Sequence, residues 1–132
     1  MFFVASLFFN GLVVQDYDGV KKYNGLELFV LGFLSFWGGG ILEFLVWLAN
    51  PLALFAFFFF KKKPKWRFLF ALISFGLAIS FAGWEQVLIS ENGRQGEIMT
   101  LGAAYWFWVL TLMLVLVLSG FGLMQKSKEG AE

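Results

Sequence analysis

Apolar and polar positions follow one another along this chain in long blocks. Residues 25–60, 68–89 and 101–124 are almost free of charge. The polar residues gather between them as QDYDGVKKYN (15–24), KKKPKWR (61–67), SENGRQGE (90–97) and QKSKEGAE (125–132). Apolar runs of about 18 residues or more mark membrane spans, since roughly 20 residues rising 1.5 Å each cross a hydrocarbon core of about 30 Å. KKKPKWR is the sharpest punctuation: cations beside a proline do not sit in hydrocarbon, and the positive-inside rule puts this loop in the cytoplasm. Counting outward from it predicts spans over 42–60, 66–86 and 102–124, with FFFF at 57–60 as an anchor at the end of the first. SENGRQGE becomes an external loop by its turn-like composition. Tyr105, Trp106, Phe107 and Trp108 form an aromatic belt at the outer end of the last span, and the C-terminus returns to the cytoplasm.

Two stretches fit less simply. MFFVASLFFNGLVV, residues 1–14, is expected to be a short first span leaving a cytoplasmic N-terminus, although as a helix it covers only about 21 Å. It lacks the basic start and the cleavage site of a signal peptide. Local bilayer thinning, or residues upstream of this start, would make up the difference. QDYDGVKKYN is then the first external loop. Lys61, Lys62, Lys63, Lys65, Arg67, Lys126 and Lys128 fall inside and Lys21, Lys22 and Arg94 outside, which fits the orientation. Residues 25–60 as one helix would reach about 54 Å, too long for a single crossing. The glycines of WGGG, 37–40, are poor helix formers and break it. GLELFVLGFLSFW, 25–37, is therefore expected to be a separate outer half-helix, either lying in the interface or re-entrant. The predicted fold is all-α: one transmembrane domain, 1–132, of about four helices plus this half-helix.

Composition narrows the chemistry. The chain is 60% hydrophobic and 14% charged, against roughly 45–50% and about 25% in soluble domains. With no Cys and no His, disulfides, thiolate nucleophiles, zinc sites built on those residues and a Ser–His–Asp triad are excluded. A net charge of +1 gives no electrostatic case for a nucleic-acid partner.

The remaining polar residues in apolar surroundings are the functional candidates. Glu43 and Glu85 fall near the outer boundary, and Glu27 lies on the half-helix. These carboxylates either stay hydrated or pair with Lys21, Lys22 or Arg94; otherwise they form an acidic cluster able to bind a cation or relay protons. Asn50 falls near the midplane, and Glu43, Trp47 and Asn50 share one helix face by their spacing. Pro51 has no N–H and clashes with the carbonyl of residue 47, so a kink and a freed Trp47 carbonyl are expected. Asn50 reads either as a polar clamp bonded to a neighbouring helix or as part of a ligand or ion site. Glu43, Trp47, Asn50 and Glu85 are the candidate binding residues; no catalytic residue, metal or cofactor is expected. Ser74, Ala78 and Ala82, with Gly76, Ser80 and Gly83, offer a small-residue surface for close helix packing.

WLANPLALFAFFFF, preceded by GLELFVLGFLSFWGGG and followed after a second span by AAYWFW, is similar to a family of small bacterial inner-membrane proteins. These share a glycine-rich first half, a W-L-A-N-P helix, a basic loop and a final helix opening on a Y-W-x-W stretch. The resemblance covers roughly residues 11–118 and implies a topology and a bacterial inner-membrane origin, with no activity, cofactor or site residue attached. The leading expectation is a non-catalytic accessory or scaffold subunit, in contact with lipid and with other membrane subunits or copies of itself. The alternative is a small oligomeric transporter or channel-like protein with a site near Glu43 and Asn50. Intramembrane catalysis by carboxylates and Asn alone is the remotest reading.

Overall fold

The computed structural model describes residues 1–58, 63–89 and 93–129. The last residues of the FFFF anchor, the first two lysines of the basic loop, part of SENGRQGE and the C-terminal residues 130–132 lie outside the described residues. Helices α1 (Phe2–Ser6), α2 (Gly25–Leu34), α3 (Ile41–Trp47), α4 (Ala49–Phe58), α5 (Pro64–Ser80) and α6 (Ala103–Glu129) are joined by strands β1 (Asn10–Asp16), β2 (Gly19–Asn24), β3 (Gln86–Leu88) and β4 (Gln95–Leu101). The strands form one antiparallel sheet in the order β2-β1-β4-β3. The expected all-α, four-span bundle is therefore corrected to a mixed α/β fold. Three stretches among the described residues are long and apolar enough to cross a membrane: 41–58, 64–83 and 103–128.

The first expected span, 1–14, divides instead into the five-residue α1 and strand β1. The physical reason lies in the side-chain period. Leu12, Val14 and Asp16 recur at every second position and are buried, while Gln15 between them is exposed, as on a sheet with one covered face. The expected external loop 15–24 is the rest of a hairpin. Asp16 pairs with Gly19 across a two-residue turn, and Gly19 takes φ +121°, a backbone region that glycine enters without strain. SENGRQGE likewise ends in strand β4, which pairs with both β1 and β3.

The expected half-helix is α2, ended by the turn at 35–39 that the glycines create. Asn24 caps its first turn: its Oδ1 accepts from the Glu27 N–H at 2.9 Å, and Glu27 Oε2 accepts from the Asn24 N–H at 2.8 Å. This reciprocal capping box satisfies two orphan donors.

The buried apolar residues form two clusters. Ala49, Ala53, Ala78, Tyr105, Val109 and Leu112 fill the helical bundle; Leu12, Val14 and Val87 fill the underside of the sheet. Phe81 and Leu101 pack against both cores, so the sheet is joined to the bundle through apolar contact. The small residues act where α4 meets α5. Ala49, Ala53 and Ala56 on one helix, and Ala71, Ser74 and Ala78 on the other, are buried, and Ser74 Oγ donates to the Ala49 carbonyl at 2.6 Å. Of the expected small-residue surface, Ser74 and Ala78 are used; Gly76 and Gly83 face open space.

Candidate site at the junction of sheet and bundle

A cavity of about 310 Å³ opens where the sheet meets the helices. Helix α1 contributes Phe3, Ser6 and Leu7, and α2 contributes Leu28, Leu31, Gly32 and Leu34. The strands add Leu12, Tyr23, Val87 and Leu88. Glu43, Val46, Trp47 and Asn50 come from α3 and α4, and Ala104, Tyr105 and Trp108 from α6. Three of the four sequence candidates, Glu43, Trp47 and Asn50, thus share this one wall. Glu85 does not join them: its side chain is exposed just before β3, and its backbone carbonyl accepts from Ile98 N–H at 2.8 Å. Glu27 is committed to the α2 cap. The acidic cluster is therefore not assembled, and no group of three or more acidic side chains among the described residues could hold a metal ion.

Pro51 sets the break in the helix beside Asn50. Helix α3 ends at Trp47 and α4 begins at Ala49, with Leu48 between them. Proline at 51 has no N–H for the carbonyl four residues back, and Asn50 Nδ2 donates to that Trp47 carbonyl at 2.9 Å instead. Asn50 Oδ1 in turn accepts from Trp108 Nε1 at 2.8 Å. One amide side chain closes the break in its own helix and clamps α4 to α6, so both features expected of the Asn–Pro pair are present. Beside it, Tyr105 OH donates to the Ala78 carbonyl at 2.8 Å, tying α6 to α5.

Glu43 holds the other end. Its Oε1 accepts from the Leu88 N–H at 2.9 Å. Leu88 lies on β3, an edge strand whose outward N–H would otherwise be open to another chain. Glu43→Gln keeps an acceptor oxygen and is expected to leave stability almost unchanged. Glu43→Ala strands that N–H and is expected to cost about 1–2 kcal/mol. Hydrogen exchange at the Leu88 amide checks this: faster exchange in the alanine variant alone is the expected result.

Trp47 sits within an aromatic cluster. Phe29, Phe33 and Phe44 surround it at centroid distances of 5.8, 5.2 and 5.8 Å, and its buried Nε1 has no hydrogen-bond partner among the described residues. Its indole packs against Gly32, where a Cβ would come within 2.8 Å of Trp47 Cδ1.

Sequence reasoning missed one buried acid. Asp16 closes β1 with its carboxylate buried. Its Oδ1 accepts from the Tyr17 N–H at 2.7 Å, and its Oδ2 faces Arg94 at 3.2 Å and Lys21 at 3.5 Å. Lys21 and Arg94 are thus partners of an aspartate rather than of the glutamates. The signal was the Leu12–Val14–Asp16 alternation. Trp108 was read as belt rather than as the donor to Asn50. Comparison with family models, curated proteins and solved structures returns no match to this chain.

Proposed function

We propose that this is a non-catalytic integral membrane protein, an accessory or scaffold subunit whose basic end faces the cytoplasm of a bacterial inner membrane. The observation that carries the reading is where the polar groups of the candidate site are spent. Glu43 bonds the sheet edge, Asn50 bonds Trp47 and Trp108, and Tyr105 bonds α5, so these side chains hold the fold together. A reacting group needs an acid, base or nucleophile poised toward substrate, whereas these face backbone and one another. The three apolar stretches are only 17–22% buried within the chain, which leaves long faces for lipid and partner helices.

Purification in mild detergent or polymer discs, followed by mass determination of the intact assembly, tests the reading. Stoichiometric foreign subunits are the expected result. A lone homo-oligomer would overturn the obligate-subunit role and favour transport, the second reading, which draws on the reach of the cavity to Asn50. In that case Glu43→Gln, which keeps its bond to Leu88, separates the two roles: flux is lost only if the carboxylate carries charge.

A further inference from the structure

We infer that the cavity between sheet and bundle is a binding site for one acyl chain of a phospholipid from the leaflet on the sheet side. The volume, about 310 Å³, falls in the range of small-molecule sites and is about twice that of an engineered apolar cavity that stays dry and binds benzene. Its walls are mostly leucine, valine and aromatic side chains. The polar atoms of Asn50 and Glu43 on the wall are bonded within the chain. Trp47 Nε1, also on the wall, has no partner among the described residues but is buried within its aromatic cluster, so the wall presents few free polar groups, which suits an alkyl chain.

Depth selects the occupant. Glu43 and Asn50 are seven residues apart, about 10 Å along the helix axis, and run from near the sheet-side end of the stretch 41–58 to its middle. The cavity is thus level with the hydrocarbon of one leaflet, where acyl chains are the surrounding solvent. Helix α2 forms one wall of the cavity. No residue of α2 is buried, and Leu31 and Leu34, which line the cavity, are 47% and 48% exposed, so an apolar chain has a continuous path around this helix.

The test uses the full chain in discs of phosphatidylcholine carrying a photoreactive diazirine near the end of one acyl chain. Leu12 and Ala104 are the informative targets, because both line the cavity while being only 1% and 2% exposed. Labelling of both is expected, and its loss on Val46→Trp or Leu28→Trp, two independent ways of filling the space. Leu72 and Ile73, exposed on α5, should stay labelled in all forms. The inference rests on the membrane reading, and these residues separate the two failures. Label on α5 with none on Leu12 and Ala104 overturns the lipid site alone; no label anywhere overturns both. Label on Leu12 and Ala104 from a diazirine fatty acid but not from the phospholipid overturns the phospholipid assignment.

Discussion

Gly25→Ala and Gly102→Ala are each expected to dislodge the sheet from the bundle, with a loss of about 3 kcal/mol of stability, the upper end of what overpacking usually costs, because the atoms met cannot yield. Both glycines sit where one backbone presses on another. At Gly25 an added Cβ would strike the Ser6 carbonyl oxygen and come within 2.8 Å of the Ser6 carbonyl carbon. At Gly102 it would strike the Asn10 carbonyl oxygen and come within 2.8 Å of the carbon. Hydrogen bonds show why neither contact can open. Gly25 N–H donates to the Phe9 carbonyl at 3.0 Å, Leu26 N–H to the Leu7 carbonyl at 3.0 Å, and Gly102 N–H to the Gly11 carbonyl at 2.9 Å. The segment from Ser6 to Gly11 is thereby pinned between the start of α2 and the start of α6. Moving it to admit a methyl group would break these bonds or detach β1 from its neighbours. Gly76→Ala is the control, since its Cβ would meet nothing within 4 Å inside α5; there the better helix propensity of alanine should stabilise by roughly 0.5–1 kcal/mol. Thermal unfolding in detergent, read by circular dichroism together with proteolysis of residues 10–24, checks all three. Equal melting curves for Gly25→Ala and Gly76→Ala would refute the close approach.

The same crossing explains what could and could not be read along the chain. The three long apolar stretches were legible because a membrane-length run needs no tertiary context: 42–60, 66–86 and 102–124 correspond to helices over 41–58, 64–83 and 103–128. Glycines 38–40 ended α2 as local propensity requires. The sheet was hidden for a different reason. NGLVVQD is a short apolar run that can pass for the end of a span, and its period-two burial shows only at Leu12, Val14 and Asp16. Its partners come from β2 nearby and from β4, far along the chain, so the pairing that makes it a strand is nonlocal. Glu43, Trp47 and Asn50 share one wall because helical spacing sets a common face. Leu88, Tyr105 and Trp108, which supply or complete their surroundings, lie on other elements that only the fold brings within reach.

The Asn50–Pro51 pair turns that local logic into a quantitative expectation. Asn50→Ala removes the donor to the Trp47 carbonyl and the acceptor for Trp108 Nε1, and is expected to cost about 1–3 kcal/mol, two bonds at roughly 0.6–1.7 kcal/mol each for polar contacts between membrane helices. The two bonds can be separated. A double-mutant cycle with Trp108→Phe isolates the clamp to α6, with a coupling of about 1 kcal/mol expected. The other bond exists because Pro51 has no N–H to offer residue 47. Pro51→Ala supplies that N–H and makes the Asn50 donor redundant. Asn50→Ala should therefore cost less in the Pro51→Ala background than in the natural sequence, by about one hydrogen bond. Equal costs in the two backgrounds would mean that Asn50 is not what satisfies the Trp47 carbonyl. A smaller cost in the Pro51→Ala background would show that the amide and the proline act as one device, in which the residue that breaks the helix stands next to the one that mends it and ties it to a neighbour.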